Sequence, residues 1–234
     1  MEELVRTEVL SPRGRPATWS TRSGTTDLAT VGSTWELWGI KDDEYGLTDI
    51  VSDGLMIDVG AHIGTVCLAF LYDNPAATAV AIEPLPENVE MLWLNAEGLG
   101  VADRLTVRQG AIGATQVNYG PDIHRYIANI RGSDGGALTV EEIALPLSAD
   151  VMKLDCEGCE YSALTADLSG IRLIFGEYHN GTADLLPLLS RTHDVTVSGG
   201  GGVGAFRAER KPERDFLDAN PPPAKPKRVR RATK

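Results

Sequence analysis

Cysteine is scarce in this chain of 234 residues, with only Cys67, Cys156 and Cys159, an odd number without secretory context that argues against a disulfide framework. Cys156-Glu157-Gly158-Cys159 is formally a C-x-x-C. No second pair and no nearby His-x-x-x-His completes a zinc site, so metal or redox chemistry there is not expected. Long apolar runs are missing too, and nothing approaches membrane-spanning length. The first residues, Met1-Glu2-Glu3-Leu4-Val5-Arg6, are acidic where a secretory leader is basic and then apolar; a cytoplasmic protein with no membrane partner is expected. Positive charge is short: the formal net charge is −11, and six of the 22 basic residues lie within 225–234. The body is therefore more acidic than the total. It lacks the Lys and Arg that track phosphates, and nucleic acid is not an expected partner.

What is present is ordinary globular material, 42% hydrophobic and 24% charged, enough for one substantial core. Its most informative stretch is Leu55-Met56-Ile57-Asp58-Val59-Gly60-Ala61-His62-Ile63-Gly64-Thr65. A short apolar run ending in an acid and two glycines predicts a buried strand turning sharply into a helix. Glycine lets the backbone approach a ligand or take φ > 0, and the new helix offers unpaired N–H groups. The spacing D-x-G-x-x-x-G departs from the G-x-G-x-x-G of dinucleotide sites. A carboxylate at the turn suits a ligand with an amino group and a positive centre, as in S-adenosylmethionine.

From residue 55 onward strand and helix signals alternate, which predicts a parallel sheet with crossover helices. Strands are expected to end at Asp58 and to cover 77–83, 105–109, 151–155 and 171–177, with helices over 65–71, 86–95 and 161–168. Two closing strands are expected around 195–197 and 203–208. Residues 114–145 fit no crossover helix and predict an inserted hairpin-like segment. Residues 1–50, with Trp19, Trp35, Trp38 and Tyr45, predict an N-terminal cap whose aromatics pack onto the sheet. The expected organisation is this cap, a domain over 51–210 and a disordered, basic, Pro-rich tail over 211–234.

Every expected strand ends in a polar residue at one edge: Asp58, Glu83, Gln109, Asp155 and Glu177. Ligands of open parallel sheets sit at that edge, and Glu83, about 20 residues after the turn, is placed to take both ribose hydroxyls. Clustered carboxylates repel unless a ligand or proton intervenes.

Over Ile57-Asp58-Val59-Gly60-Ala61-His62-Ile63-Gly64, Ile82-Glu83-Pro84, Ala111-Ile112-Gly113, Lys153-Leu154-Asp155-Cys156-Glu157-Gly158-Cys159-Glu160 and Gly176-Glu177-Tyr178-His179, the chain resembles the FkbM-type S-adenosylmethionine-dependent methyltransferases. Arg22-Ser23-Gly24-Thr25-Thr26-Asp27 is similar to the family's N-terminal approach. The resemblance implies an α/β, Rossmann-like class I methyltransferase fold: a mostly parallel seven-stranded sheet, helices on both faces and an antiparallel last strand. It also implies that Asp58, Gly60, His62, Gly64 and Thr65 shape the methionine side of the S-adenosylmethionine pocket. Glu83 and Pro84 would hold the ribose, Gln109, Gly110 and Ala111 would flank the adenine, and Asp155 would face the transferred methyl. His62 stands where the family usually has Asn.

The implied reaction is O-methylation of a small-molecule or glycan hydroxyl, on a sugar or a secondary metabolite. Asp155, Glu157 and His179 are the candidate catalytic residues. His179 is favoured as base because imidazole titrates near neutrality. Lys153, two residues before Asp155, is expected to pair with it. No metal is expected, although Asp155, Glu157 and Glu177 form a set that could hold one. Two alternatives remain: a nucleic-acid methyltransferase using the basic tail, or a non-catalytic binding protein that kept the cofactor fold.

Overall fold

The computed structural model describes residues 3–120, 126–129, 136–146, 148–179 and 181–212. The chain opens with a hairpin of β1 (Leu4–Leu10) and β2 (Pro16–Arg22), followed by α1 (Asp27–Thr34). Then come β3 (Leu55–Val59), α2 (Thr65–Asp73), β4 (Thr78–Glu83), α3 (Pro86–Gly98) and β5 (Leu105–Gln109). Five short strands follow: β6 (Ala111–Ile112), β7 (Gln116–Tyr119), β8 (Ala128–Asn129), β9 (Gly136–Thr139) and β10 (Glu142–Ile143). The remainder is β11 (Val151–Leu154), α4 (Glu160–Ala163), β12 (Leu173–Tyr178), α5 (Leu185–Leu189), β13 (His193–Val197) and β14 (Gly204–Arg210).

Seven strands form the main sheet in the order β13-β14-β12-β11-β3-β4-β5. β5, β4, β3, β11 and β12 run parallel, and β14 is antiparallel to both β12 and β13. The chain order reverses at β3, which pairs β4 on one side and β11 on the other. The cleft for a ligand opens at the carboxyl ends of these strands. β11 is buried throughout and β3 nearly so, as central parallel strands covered on both faces must be.

One face carries α1, α2 and α3 with the N-terminal hairpin. α2 is apolar around its whole circumference, and only Tyr72 among its residues escapes full burial. A helix of that kind needs a second cover. The N-terminal segment supplies it: Trp35 Nε1–H donates to Thr65 O at 2.9 Å, Ser11 Oγ–H donates to Asp73 Oδ1 at 2.7 Å, and Trp19 and Trp35 meet edge to face at 5.3 Å. Both tryptophans are fully buried, whereas Trp38 is 75% exposed.

The other face is covered by shorter elements. The helix expected over 161–168 is a single turn, α4, because beyond Ala163 the hydrogen bonds tighten to three-residue spacing, Thr165 N–H to Ser162 O and Ala166 N–H to Ala163 O. The insertion between β5 and β11 contributes strands: β7 pairs antiparallel with β8 and β9, and β10 pairs parallel with β6. Parts of the segment 114–145 and all of the tail beyond residue 212 lie outside the described residues.

Cys156 and Cys159 are joined by a disulfide, which corrects the expectation of unpaired cysteines. Glu157 (φ 52°) and Gly158 (φ 115°) turn the chain so tightly that the two Cα atoms lie 5.5 Å apart, a normal bridging distance. An even pair inside one turn needs no secretory framework. Cys67 is the free, buried cysteine.

Candidate active site

A cavity of about 280 Å³ lies at the carboxyl ends of β3, β4, β11 and β12. Its walls come from the β3–α2 turn, the β4 end, the β5–β6 junction, the loop after β11, the insertion, and the N-terminal segment through Thr30, Ser33, Glu44 and Tyr45. Gly60, His62, Thr65, Glu83, Pro84, Gly110, Ala111, Asp155 and Glu157 line it, as does Glu177.

At the turn, Gly60 has φ 79°, and a Cβ there would lie 1.9 Å from Asp155 O. Only glycine lets the two strand ends come this close. His62 also takes a left-handed φ of 51°, which His tolerates better than most residues. Its backbone N–H donates to Glu83 Oε2 at 2.8 Å. Its ring lies 3.7 Å from Asp27 Oδ1, and neither ring nitrogen finds a hydrogen-bond partner among the described residues. Burial, reinforced by the positive charges of Arg22 and Lys153 against the opposing pull of Asp27, lowers the imidazole pKa to about 4.

Glu83 is 3% exposed and well served by donors. Besides His62 it accepts from Leu85 N–H at 3.1 Å and from Asn88 Nδ2–H at 2.9 Å. Burial nevertheless raises its pKa. Three of a carboxylate's roughly four acceptor positions are taken, which leaves about one open toward the cavity. Asn88 in turn accepts from Arg22 Nη2–H at 2.7 Å, and Arg22 holds Asp27 with two 2.8 Å bonds while its guanidinium covers the Tyr126 ring at 3.5 Å. The N-terminal segment is thus wired to Glu83 through Arg22 and Asn88.

Three of the residues expected to touch the cofactor do not line the cavity. Asp58 is fully buried beneath the turn, where Oδ2 accepts the Cys67 N–H at 3.1 Å and Oδ1 faces Lys153 Nζ at 3.3 Å. Gly64 caps α2 with φ 92° against the Leu68 and Leu92 side chains. Gln109 pairs with Glu83 across β4 and β5 but exposes its side chain to solvent. Strand pleating turns the Asp58 and Gln109 side chains away from the cavity, and Gly64 lies in the turn beneath it, packed against Leu68 and Leu92.

Lys153 lies under the floor. Nζ donates to Gly60 O at 2.7 Å and sits 3.7 Å from Asp155 Oδ2 as well as close to Asp58. Burial works against its charge, but the Asp58 and Asp155 carboxylates more than compensate and hold its pKa above the usual lysine value. Asp155 Oδ2 also accepts from Tyr45 Oη–H at 2.8 Å. Burial raises the Asp155 and Glu157 carboxyls.

His179 stands behind this corner and does not line the cavity. Nδ1 lies 2.9 Å from Glu160 Oε1, and the fully buried Glu160 is gripped by the N–H groups of Cys156 and Gly158. Nε2 faces Glu157 Oε2 and Glu177 Oε2 at 3.4 Å each and Asp155 Oδ1 at 4.0 Å. Burial opposes the imidazolium, but Glu160, Glu177 and Glu157 raise its pKa to about 10. That shift favours the protonated ring, and His179 stands outside the cavity lining. Glu44, beside Glu177 at the cavity mouth, is pushed up to about 7 by burial and by that neighbouring carboxylate. Glu44 is not marked in the weakly patterned residues 1–50, and Tyr45, expected as a cap aromatic, reaches Asp155 through a long-range contact that the sequence does not show.

A seven-stranded sheet of this order, with a glycine turn after its central strand and a buried carboxylate at the end of the next, is a Rossmann-like α/β fold. Residues 58–192, more than half of the chain, match the methyltransferase FkbM domain. The chain belongs to the FkbM methyltransferase family, whose methyl donor is S-adenosylmethionine. No curated protein matches the chain. Among solved structures, a precorrin-6Y C5,15-methyltransferase from Geobacter metallireducens is similar at 14% identity and a TM-score of 0.49, covering 82% of this chain and 93% of that one. An RNA methyltransferase from Salinibacter ruber, in complex with S-adenosyl-L-homocysteine, is similar at 18% identity and a TM-score of 0.43, covering 73% and 90%. No helix among the described residues is long and apolar enough to cross a membrane.

Proposed function

We propose that this methyltransferase acts on a hydroxyl of a small molecule or glycan, a sugar or secondary metabolite. The observation that carries this reading is the charge at one end of the cavity, where Asp155, Glu157, Glu177 and Glu44 gather. Four acids repel a phosphate-bearing acceptor and suit a neutral one rich in O–H donors. On this reading the methionine end of S-adenosylmethionine lies against Gly60, His62 and Thr65. Glu83 holds a ribose hydroxyl, and the adenine lies between Gly110, Ala111 and the Tyr126 side of the insertion.

The reaction is an in-line displacement. The acceptor O–H gives its proton to Glu157, its oxygen bonds to the methyl carbon, and the C–S bond breaks with its electron pair going to sulfur. S-adenosylhomocysteine, methyl ether and a protonated carboxyl result. Positioning contributes about 7 to 11 kcal/mol to such a step, and a placed base roughly 10²- to 10⁴-fold.

The test is calorimetric titration with S-adenosylhomocysteine, followed by incubation of the protein and labelled S-adenosylmethionine with pooled sugars, glycosides, phenolic metabolites and RNA. Saturable binding with label moving to a hydroxylated small molecule supports the reading. Label moving to RNA, or cofactor binding with no turnover on any acceptor, overturns it.

A further inference from the structure

We propose that Asp155, Glu177 and His179 form a divalent-cation site at the acceptor end of the cavity, against the expectation from the sequence that no metal is used. The three residues each bring one ligand-capable atom to within 4.8 Å of the other two. His179 Nε2 lies 3.4 Å from Glu177 Oε2 and 4.0 Å from Asp155 Oδ1. These separations are long for N–H···O bonds, which centre near 2.9 to 3.0 Å. They are the separations of atoms sharing one ion: bonds of about 2.1 Å put neighbouring ligands ~3.0 to 3.4 Å apart and opposite ones ~4.2 Å apart.

The surroundings orient the His179 and Asp155 ligand atoms toward the common point. Glu160, fully buried and held by two backbone N–H groups, takes the Nδ1 side of the His179 ring and turns Nε2 to the acids. A ligating histidine is characteristically fixed through its other nitrogen by a carboxylate in this way. Tyr45 and Lys153 engage Asp155 Oδ2, which leaves Oδ1 facing His179. Glu157 Oε2, 3.4 Å from Nε2, sits at the edge of the set and lines the cavity, where it remains available as proton acceptor. One imidazole and two carboxylates suit Mn²⁺ or another first-row divalent ion, with the remaining positions open toward the cavity. An acceptor carrying two adjacent oxygens, such as a vicinal diol, would fill two of them. This rests on the hydroxyl-acceptor reading above.

The experiment titrates Mn²⁺ into chelator-treated, desalted full-length protein, with bound and free ion separated by electron paramagnetic resonance. S-adenosylhomocysteine binding is measured on the same preparations. One Mn²⁺ per chain is expected, with affinity lowered at least 10-fold in Glu177→Gln, Asp155→Asn and His179→Ala, while S-adenosylhomocysteine binding persists in His179→Ala, whose side chain does not line the cavity. No saturable Mn²⁺ binding to the wild type, or equal binding by all three variants, overturns the site. Failure of S-adenosylhomocysteine binding in the wild type would instead count against the methyltransferase reading, so the two failures are distinguishable.

Discussion

The two ends of the cavity are built on opposite electrostatic plans. At the Glu83 end the buried carboxylate is met by two backbone N–H groups and the Asn88 amide, and Arg22 and the buried Asp27 complete the chain of partners behind it. The Glu83 carboxylate there is already met by donors, although both ring nitrogens of His62 and Arg22 Nη1 find no hydrogen-bond partner among the described residues. At the acceptor end four acids face the cavity, with Lys153 and His179 as their nearby cations. That end carries surplus negative charge. A site that must hold a common cofactor meets its carboxylate with donors in advance, whereas one that must drive a reaction keeps an imbalance for its reactants to relieve.

The contrast is broken most directly at the Glu83 end. Arg22→Ala leaves Asp27 buried without its partner, and a loss of about 3 to 5 kcal/mol in chemical denaturation is expected, the largest effect of the set. Glu83→Ala removes charge-assisted hydrogen bonds worth about 1.5 kcal/mol or more apiece. Calorimetry should show affinity for S-adenosylhomocysteine falling on the order of 100-fold. A residual affinity within threefold of wild type would mean that Glu83 serves the turn alone.

His62 sharpens the comparison through pH. Its folded-state pKa, about 4, lies below the ordinary imidazole value near 6.5, so the unfolded chain takes up the proton first as pH falls. Its contribution is therefore full above pH ~6.5 and is lost progressively as pH drops towards 4. Thermal midpoints recorded across that window should decline, and His62→Asn should flatten the decline by an amount on the order of 3 kcal/mol. At the acceptor end, Tyr45→Phe deletes the 2.8 Å bond to Asp155 and should lower kcat about 10-fold with cofactor affinity unchanged. An equal loss in cofactor affinity would show that Tyr45 belongs to the Glu83 end.

Much of this was legible in the chain because the pattern is local. The β3–α2 turn is written in consecutive residues, and alternating strand and helix signals specify the order of the sheet. What stayed hidden depends on distant contacts. Asp58 reads as a ligand-facing acid until Lys153, 95 positions away, is seen to claim it (153 − 58). The carboxylates around His179, Glu157 from the loop after β11, Glu160 from α4 and Glu177 from β12, are likewise brought together only by the fold. The disulfide reads as an incidental C-x-x-C until the tight turn at Glu157 and Gly158 is seen.

The bond between Tyr45 and Asp155 spans 110 residues, and that span bears on how the molecule comes to be. The segment that roofs α2 leaves the ribosome well before β11 and β12 exist. Trp19 and Trp35 then have no finished sheet to lie on. Long-range closure of this kind is slow, because the entropy of the intervening loop is lost before the contact repays it. The Tyr45–Asp155 corner and the Gly60 turn both wait on β11 and the residue that follows it, because they contact Lys153 and Asp155, so the two ends of the cavity are completed by the same late-made strand.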